Sequence, residues 1–153
     1  MILKSTGGSS LEMTLVGYQF PDLETKEYDS NWLLIKIDAV HSKGQWTSVD
    51  PSLLTYEVQR LADWLAAIAR GQKVDDTEEF MEPNLSFRLA NLDTGARTLR
   101  VYFELESRPP WAKSDTANEN DFWLEFPLGD LDLEAAARQL RDELRRYPQR
   151  AAR

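Results

Sequence analysis

Strict alternation of apolar and polar residues in two neighbouring segments is the feature that most constrains how this chain folds. Leu85, Phe87 and Leu89 alternate with polar residues, and the same period of two runs from Leu99 to Leu105. Successive side chains of a β-strand point to opposite faces, so each segment predicts a strand with one buried face. Asp93-Thr94-Gly95 between them is typical of a hairpin turn. Strands joined by so short a connection pair antiparallel, and the sequence therefore predicts an antiparallel sheet.

Four further segments predict strands of the same kind. They cover residues 11–20, 31–41, 45–49 and 122–128. The second and third are separated by Ser42-Lys43-Gly44, which is a hairpin-like turn. Pro21 ends the first, because proline cannot donate to a strand ladder.

The hydrophobic period changes to that of a helix at two places. The first apolar stripe is spaced at steps of four and three and consists of Leu54, Val58, Leu61, Leu65 and Ile68. Asp50-Pro51-Ser52 predicts the start of this helix and Gly71 its end. The second stripe follows Gly129-Asp130, ends before Pro148, and consists of Leu133, Ala137, Leu140, Leu144 and Tyr147.

The order strands, helix, strands, helix predicts an α+β fold. We expect a curled antiparallel β-sheet of about six strands packed with two α-helices. We also expect a single domain over residues 1–153, because a chain of this length can bury a core of its own.

The residue types that are scarce or absent exclude several kinds of chemistry. The chain has no cysteine and one histidine, His41, so disulfides, thiol nucleophiles and paired-histidine metal sites are excluded. No glycine-rich nucleotide-binding motif is present. A cluster of oxygen-bearing residues lacks the spacing of a calcium loop and predicts a polar loop; it consists of Asp115, Asn118, Asn120 and Asp121. We therefore expect no metal and no cofactor.

Charge and hydropathy limit the partners and the location. The formal net charge of -8 argues against nucleic acid and anionic membranes as partners. No apolar stretch approaches the 18 residues of a membrane-spanning helix. The N-terminal residues lack the basic and then apolar run of a secretory signal, so we expect a cytoplasmic protein.

Two glutamates on one predicted strand are the best candidates for catalysis. Glu104 and Glu106 share a face, and Glu125 lies on a neighbouring strand. A pair of carboxylates performs acid-base work in glycosidases when it is properly spaced. Alternating acids are equally ordinary on the solvated face of a strand, and no substrate-shaped motif accompanies them. We expect a solvated face and no catalytic residue.

The tryptophans divide between core and surface. We expect Trp32, Trp64 and Trp123 to pack in the core, as large aromatic side chains usually do. Trp111 follows two prolines in a loop. Two interpretations of Trp111 stay open, a packing anchor and part of a recognition surface.

Acidic residues are concentrated between the two predicted helices. Five lie within eight positions: Asp75, Asp76, Glu78, Glu79 and Glu82. One interpretation of this group is a solvated surface that keeps the protein in solution. The other is a binding surface complementary to a basic partner.

Several segments together resemble the WapI family of bacterial immunity proteins. These segments are 31–34, 50–57, 82–87, 100–111, 126–127 and 147–150. The resemblance spans most of the chain and contains no cofactor chemistry. It implies a protein that neutralises a toxin, since the founding member neutralises the C-terminal domain of a cell-wall-associated polymorphic toxin that cleaves tRNA.

The leading hypothesis is a non-enzymatic cytoplasmic immunity protein that covers a cognate toxin domain with an acidic surface. A nuclease is one class of such toxin, and its phosphate-attracting site is basic. The predicted contacts are Asp75, Asp76, Glu78, Glu79, Glu104, Glu106 and Trp111. The alternatives are a small-ligand-binding or enzymatic domain that uses the sheet as a cup, and a scaffold for an unrelated protein. The oligomeric state is left open.

Overall fold

The computed structural model describes residues 1–23, 25–113 and 121–152, and over these ranges it confirms the α+β class. The first antiparallel sheet has the order β1 (Ile2–Lys4), β2 (Ser10–Tyr18), β3 (Trp32–His41), β4 (Gly44–Leu54). The second has the order β5 (Thr77–Glu79), β6 (Leu85–Asn91), β7 (Arg97–Phe103), β8 (Phe122–Pro127). Helix α1 covers Thr55–Ala69 and helix α2 covers Leu133–Leu144.

The described strands therefore number eight, in two sheets, where the sequence indicated about six in one. The two additional strands, β1 and β5, have three residues each and are too short to show alternation. The predicted residues Asp115, Asn118 and Asn120 lie outside the described residues.

One hydrophobic cluster joins both sheets and both helices. The alternating residues of β3 are buried as predicted, with Leu33, Ile35 and Ile37 at most 1% exposed. Phe87 of β6 and Phe103 of β7 are fully buried on the inner face of the second sheet. The period of two thus identifies correctly which face of each sheet is dry.

The predicted start of α1 at Asp50-Pro51-Ser52 is wrong, because β4 continues through these residues to Leu54. The pairing of β3 with β4 shifts between Leu33 and Ile35, which places Pro51 in a bulge of an edge strand. Proline is tolerated there because its missing N–H interrupts no regular ladder bond. Helix α1 instead begins where the buried Glu57 carboxylate accepts the backbone N–H of Leu54 at 3.0 Å. That carboxylate also accepts the Met81 N–H at 2.8 Å.

Strand β7 ends at Phe103, earlier than the alternation through Leu105 predicts. The chain then forms a short 3-10 turn over Leu105–Ser107, and Leu105 takes a φ of +52°. The Trp46 indole N–H donates to the Ser107 carbonyl at 2.9 Å and fixes this turn against β4. Leu105, predicted to face the core, is 53% exposed as a result.

A buried asparagine joins the N-terminal half of the chain to its C-terminal segment. The Asn31 Oδ1 accepts hydrogen bonds from the Thr55 hydroxyl at 3.0 Å and from the Arg150 backbone N–H at 2.8 Å. Its Nδ2 donates to the Ala151 carbonyl at 3.0 Å. Asn31 is fully buried, so these partners replace the water that its amide has lost.

Candidate functional site

An open groove of about 520 Å³ collects carboxylates from four separated parts of the chain. We call it the acidic groove; its acids are Asp29, Asp50, Glu82 and Glu106. Its other lining residues are Gln19, Phe20, Trp32, Pro51, Asn84 and Leu105. The lining thus comes from the first sheet with the segments next to it and from the turns that flank the second sheet.

The fold positions the two central acids by different means. Asp50 lies on β4 next to the bulge at Pro51. Glu106 lies in the 3-10 turn that Trp46 holds, and its Oε2 accepts a hydrogen bond from the Asn84 side chain at 3.2 Å. Within the described part of the chain, neither Asp50 nor Glu106 forms an ion pair.

The environment of Asp50 disfavours its negative charge. Burial raises the pKa of the Asp50 carboxyl above its ordinary value, and the nearby Glu106 carboxylate raises the pKa further. Lys113 opposes the rise, as a positive charge should. The groove therefore holds two carboxylates that repel one another and that an added cation would stabilise.

We expect Asp50→Asn to raise the melting temperature of the free protein at pH 7 by about 1–3 °C. A carboxyl group whose pKa is higher in the folded chain binds more protons there between its unfolded and folded pKa values. Stability therefore falls as pH rises through that window, which starts near pH 4. Ionised Asp50 destabilises the fold at pH 7, and asparagine removes the charge. Thermal unfolding followed by circular dichroism at pH 7 and pH 3 would measure this, and the gain should vanish at pH 3.

Asp38→Asn is the matched control. Asp38 lies on β3, its carboxylate is 3.5 Å from the Lys36 ammonium, and it accepts the Thr47 hydroxyl hydrogen bond at 2.7 Å. Removing this charge should give no gain at either pH. Equal melting temperatures for Asp50→Asn and the wild-type protein at pH 7 would contradict the assignment.

Large apolar side chains are exposed around the acidic groove. Phe20 and Leu105 line it, and both are more than 40% exposed. Tyr28 and Met81, exposed at 39% and 59%, directly precede the groove acids Asp29 and Glu82 in the chain. Exposed apolar side chains grouped around a polar centre are typical of a surface that binds another protein.

The structure corrects the predicted placement of Glu104 and Glu106 on one strand face. Both follow the end of β7, so the period of two no longer applies to them. Glu104 accepts two hydrogen bonds from the Arg108 guanidinium, at 2.9 and 3.1 Å. Glu125 pairs with Arg100 on the second sheet. Glu106 is thus the one member of this trio that lines the groove.

Trp111 combines the two roles that the sequence left open. Its indole packs on the Trp46 ring at a centroid distance of 5.6 Å, and it is 39% exposed. It also lies against Gly44, where an added Cβ would come within 3.2 Å of the indole. Gly44 has a φ of +151°, so a glycine is needed there for both reasons. The packing role is observed, and a contact role for the exposed edge stays a prediction.

The four predicted acids of residues 75–79 lie away from the groove lining and differ among themselves. Asp75, Asp76 and Glu79 are exposed, and their backbone carbonyls accept hydrogen bonds from Trp64, Leu89 and Arg60. Glu78 is only 9% exposed and pairs with Arg60. Residues 77–79 form the short strand β5.

The other tryptophans follow the predictions in part. Trp64 is buried, as predicted. Trp32 is half-buried and lines the acidic groove. Trp123, predicted for the core, is 37% exposed and packs beside Tyr102 with Arg100 over its ring. The core prediction fails for Trp123 because Phe122 and Leu124, on either side, face inward.

Sequence reasoning missed three of the four groove acids as a group. Asp50 looked like a helix cap, Asp29 lay in a polar loop, and Glu82 stood at the end of an acidic run. One signal was available: Asp50 precedes Pro51, and an edge-strand bulge also tolerates proline. Their convergence depends on how the two sheets meet, which no local pattern contains.

The described residues contain no group of three or more histidine or acidic side chains arranged to hold a metal ion. No helix in the described ranges has the length and apolar character needed to cross a bilayer.

The sequence matches a known protein family over most of its length. A model described as "Immunity protein WapI-like family" matches residues 1–148. No curated protein matches the chain.

Proposed function

This chain belongs to the immunity protein WapI-like family, whose description implies toxin neutralisation, and we propose that it binds its cognate toxin domain through the acidic groove. In this proposal the protein is cytoplasmic and non-enzymatic. It inactivates the toxin by covering the toxin's functional surface.

The observation that carries the proposal is the pair Asp50 and Glu106. The two carboxylates repel each other and have no ion-pair partner among the described residues, so they raise the free energy of the unbound protein. A lysine or arginine of the toxin would relieve that repulsion, so part of the binding free energy comes from removing an unfavourable interaction. Opposite charges on the two proteins would also accelerate their encounter.

A nuclease is the toxin class that best fits an acidic groove. An enzyme that cleaves nucleic acid must attract phosphates, and its active site is therefore basic. Carboxylates spaced along the groove would occupy that site as phosphate mimics. The exposed Phe20 and Leu105 would supply apolar contact at the margin.

The predicted contact residues contribute unequally in this proposal. Glu106 lines the groove, and Trp111, which is partly exposed, follows the same 3-10 turn in the chain. Asp75, Asp76 and Glu79 are exposed and steer the partner from a distance. Glu78 and Glu104 form ion pairs with Arg60 and Arg108. In this proposal they therefore make no direct contact with the toxin and contribute mainly to the negative electrostatic potential around the protein.

Co-expression tests the proposal. Cells expressing a candidate toxin domain, taken from the reading frame next to this gene, should grow when the wild-type chain is present. Glu106→Lys should abolish this protection, because it places a cation against the toxin's basic surface. Glu12→Lys, on β2 away from the groove, should retain it. Loss of protection in both variants, or in neither, would contradict binding through the groove.

A second candidate function is small-ligand binding or catalysis, and the groove itself favours it. Its volume lies in the usual range for ligand sites, and Trp32 lies beside convergent carboxylates. A thermal-shift screen of sugars and metabolites would separate the candidates. A ligand whose stabilising effect disappears in Asp50→Asn would support this alternative over toxin binding.

A further inference from the structure

The Arg150 side chain binds the segment 20–23, which makes few other backbone hydrogen bonds to the described residues. Its guanidinium donates to the carbonyl oxygens of Phe20 at 3.2 Å, Pro21 at 3.1 Å and Leu23 at 2.8 Å. The same guanidinium lies over the Tyr18 ring at 4.6 Å from its centroid. One side chain thus satisfies three carbonyls in a row of four residues.

The backbone beneath Arg150 is itself fixed. The buried Asn31 amide binds the Arg150 N–H and the Ala151 carbonyl, at 2.8 and 3.0 Å. The Tyr18 hydroxyl donates to the Pro148 carbonyl at 2.6 Å. The guanidinium is therefore held from a rigid base.

The segment that Arg150 holds contributes Phe20 to one wall of the acidic groove. Strand β2 ends at Tyr18, and beyond it the Gln19 N–H still bonds the Trp32 carbonyl at 2.8 Å. Among the described residues, the backbone of residues 20–23 makes one backbone–backbone hydrogen bond, from the Leu23 N–H to the Phe20 carbonyl at 3.2 Å. Within the described ranges, Arg150 therefore supplies most of the hydrogen bonds to the segment that carries Phe20, whose side chain lines the groove.

We infer that Arg150 is a positioning residue for partner binding: it holds the Phe20 wall of the acidic groove in the conformation that the toxin domain meets. This inference rests on the proposed function. A wall that is ordered before binding loses less conformational entropy when the complex forms. The hydrogen bonds from Arg150 therefore increase the affinity for the toxin domain. Arginine suits the task, because its planar fork reaches several acceptors where a lysine ammonium acts from one point.

The test compares three variants in binding and in backbone exchange. The probe is the toxin domain against which the wild-type chain protects cells. Arg150→Gln should weaken its affinity about tenfold, and Arg150→Lys by a smaller factor. Amide exchange at Gln19 and Leu23 should accelerate in Arg150→Gln. Arg145→Gln is the matched control, since Arg145 is 77% exposed and pairs only with the nearby Asp142 among the described residues.

A purely structural role predicts a different result. In that case Arg150→Gln would lower the free energy of unfolding, but the folded protein would bind the toxin with wild-type affinity. That result, measured well below the melting temperature, would overturn the inference, as would unchanged exchange at Gln19 and Leu23. Failure of the wild-type chain to protect against any toxin domain would count against the proposed function instead. The exchange measurement needs no toxin and still decides whether Arg150 orders the wall.

Discussion

Replacing Trp46 with alanine is expected to lower the free energy of unfolding by about 3–5 kcal/mol, the range for deleting a buried aromatic side chain. Trp46 is 6% exposed and packs edge-on against the rings of Phe103, Trp111 and Phe122, at centroid distances of 5.2–5.6 Å. It joins the inner faces of both sheets, so the cavity would open at their junction. Urea unfolding followed by circular dichroism would measure the loss.

Trp46→Phe separates packing from hydrogen bonding. Phenylalanine keeps most of the ring contacts but cannot donate to the Ser107 carbonyl, which would leave a buried acceptor unsatisfied. We expect a loss of about 1–3 kcal/mol for this variant. If Trp46→Ala lowered the free energy of unfolding by less than about 1 kcal/mol, the indole would not be a main element of the core.

Under the proposed function, neutralising both Asp50 and Glu106 of the groove is expected to have the largest effect on the rate of toxin binding. For Asp50→Asn combined with Glu106→Gln, we expect the association rate constant to fall at least tenfold at low salt, which is within the range that electrostatic steering supplies. The double variant should also lose much of its salt dependence, because screening acts on the charges that were removed. Stopped-flow mixing with the toxin domain over a series of ionic strengths would measure both.

The matched control removes two other negative charges, both on the first sheet. Glu12 and Asp38 face each other across β2 and β3, and neither lines the acidic groove. Glu12→Gln with Asp38→Asn should change the rate constant by less than about threefold, as expected for distant surface charges. Equal losses in the two double variants would attribute the effect to net charge alone. A third variant, Asp75→Asn with Asp76→Asn, tests whether the predicted acidic run steers the encounter.

Local sequence patterns predicted the strands and helices well because burial imposes a period. Residues of β3 and β6 alternate because each strand has one buried face, and this physical constraint is visible in the order of the side chains. The family resemblance was confirmed by the match over residues 1–148. The boundaries near Asp50 and Glu104 failed because proline suits both a helix start and a bulge, and because the bond from Trp46 to Ser107 is made between distant residues.

The acidic groove could not be predicted as a site. Its acids are brought together by contacts between the sheets, and each acid has an ordinary local explanation in the sequence. Glu106 was selected for a strand face that it does not occupy, and it belongs to the groove because the chain turns at Leu105. The acids at 75–79 were selected by density along the chain, which carries no information about distance in the fold.

The Asn31 amide bonds residues that lie 119 and 120 positions further along the chain. During synthesis those partners emerge long after the segment around Phe20, so that segment stays without its Arg150 restraint until they do. Under the proposed function, a copy whose synthesis stops before Arg150 would meet the toxin with the segment around Phe20 unrestrained.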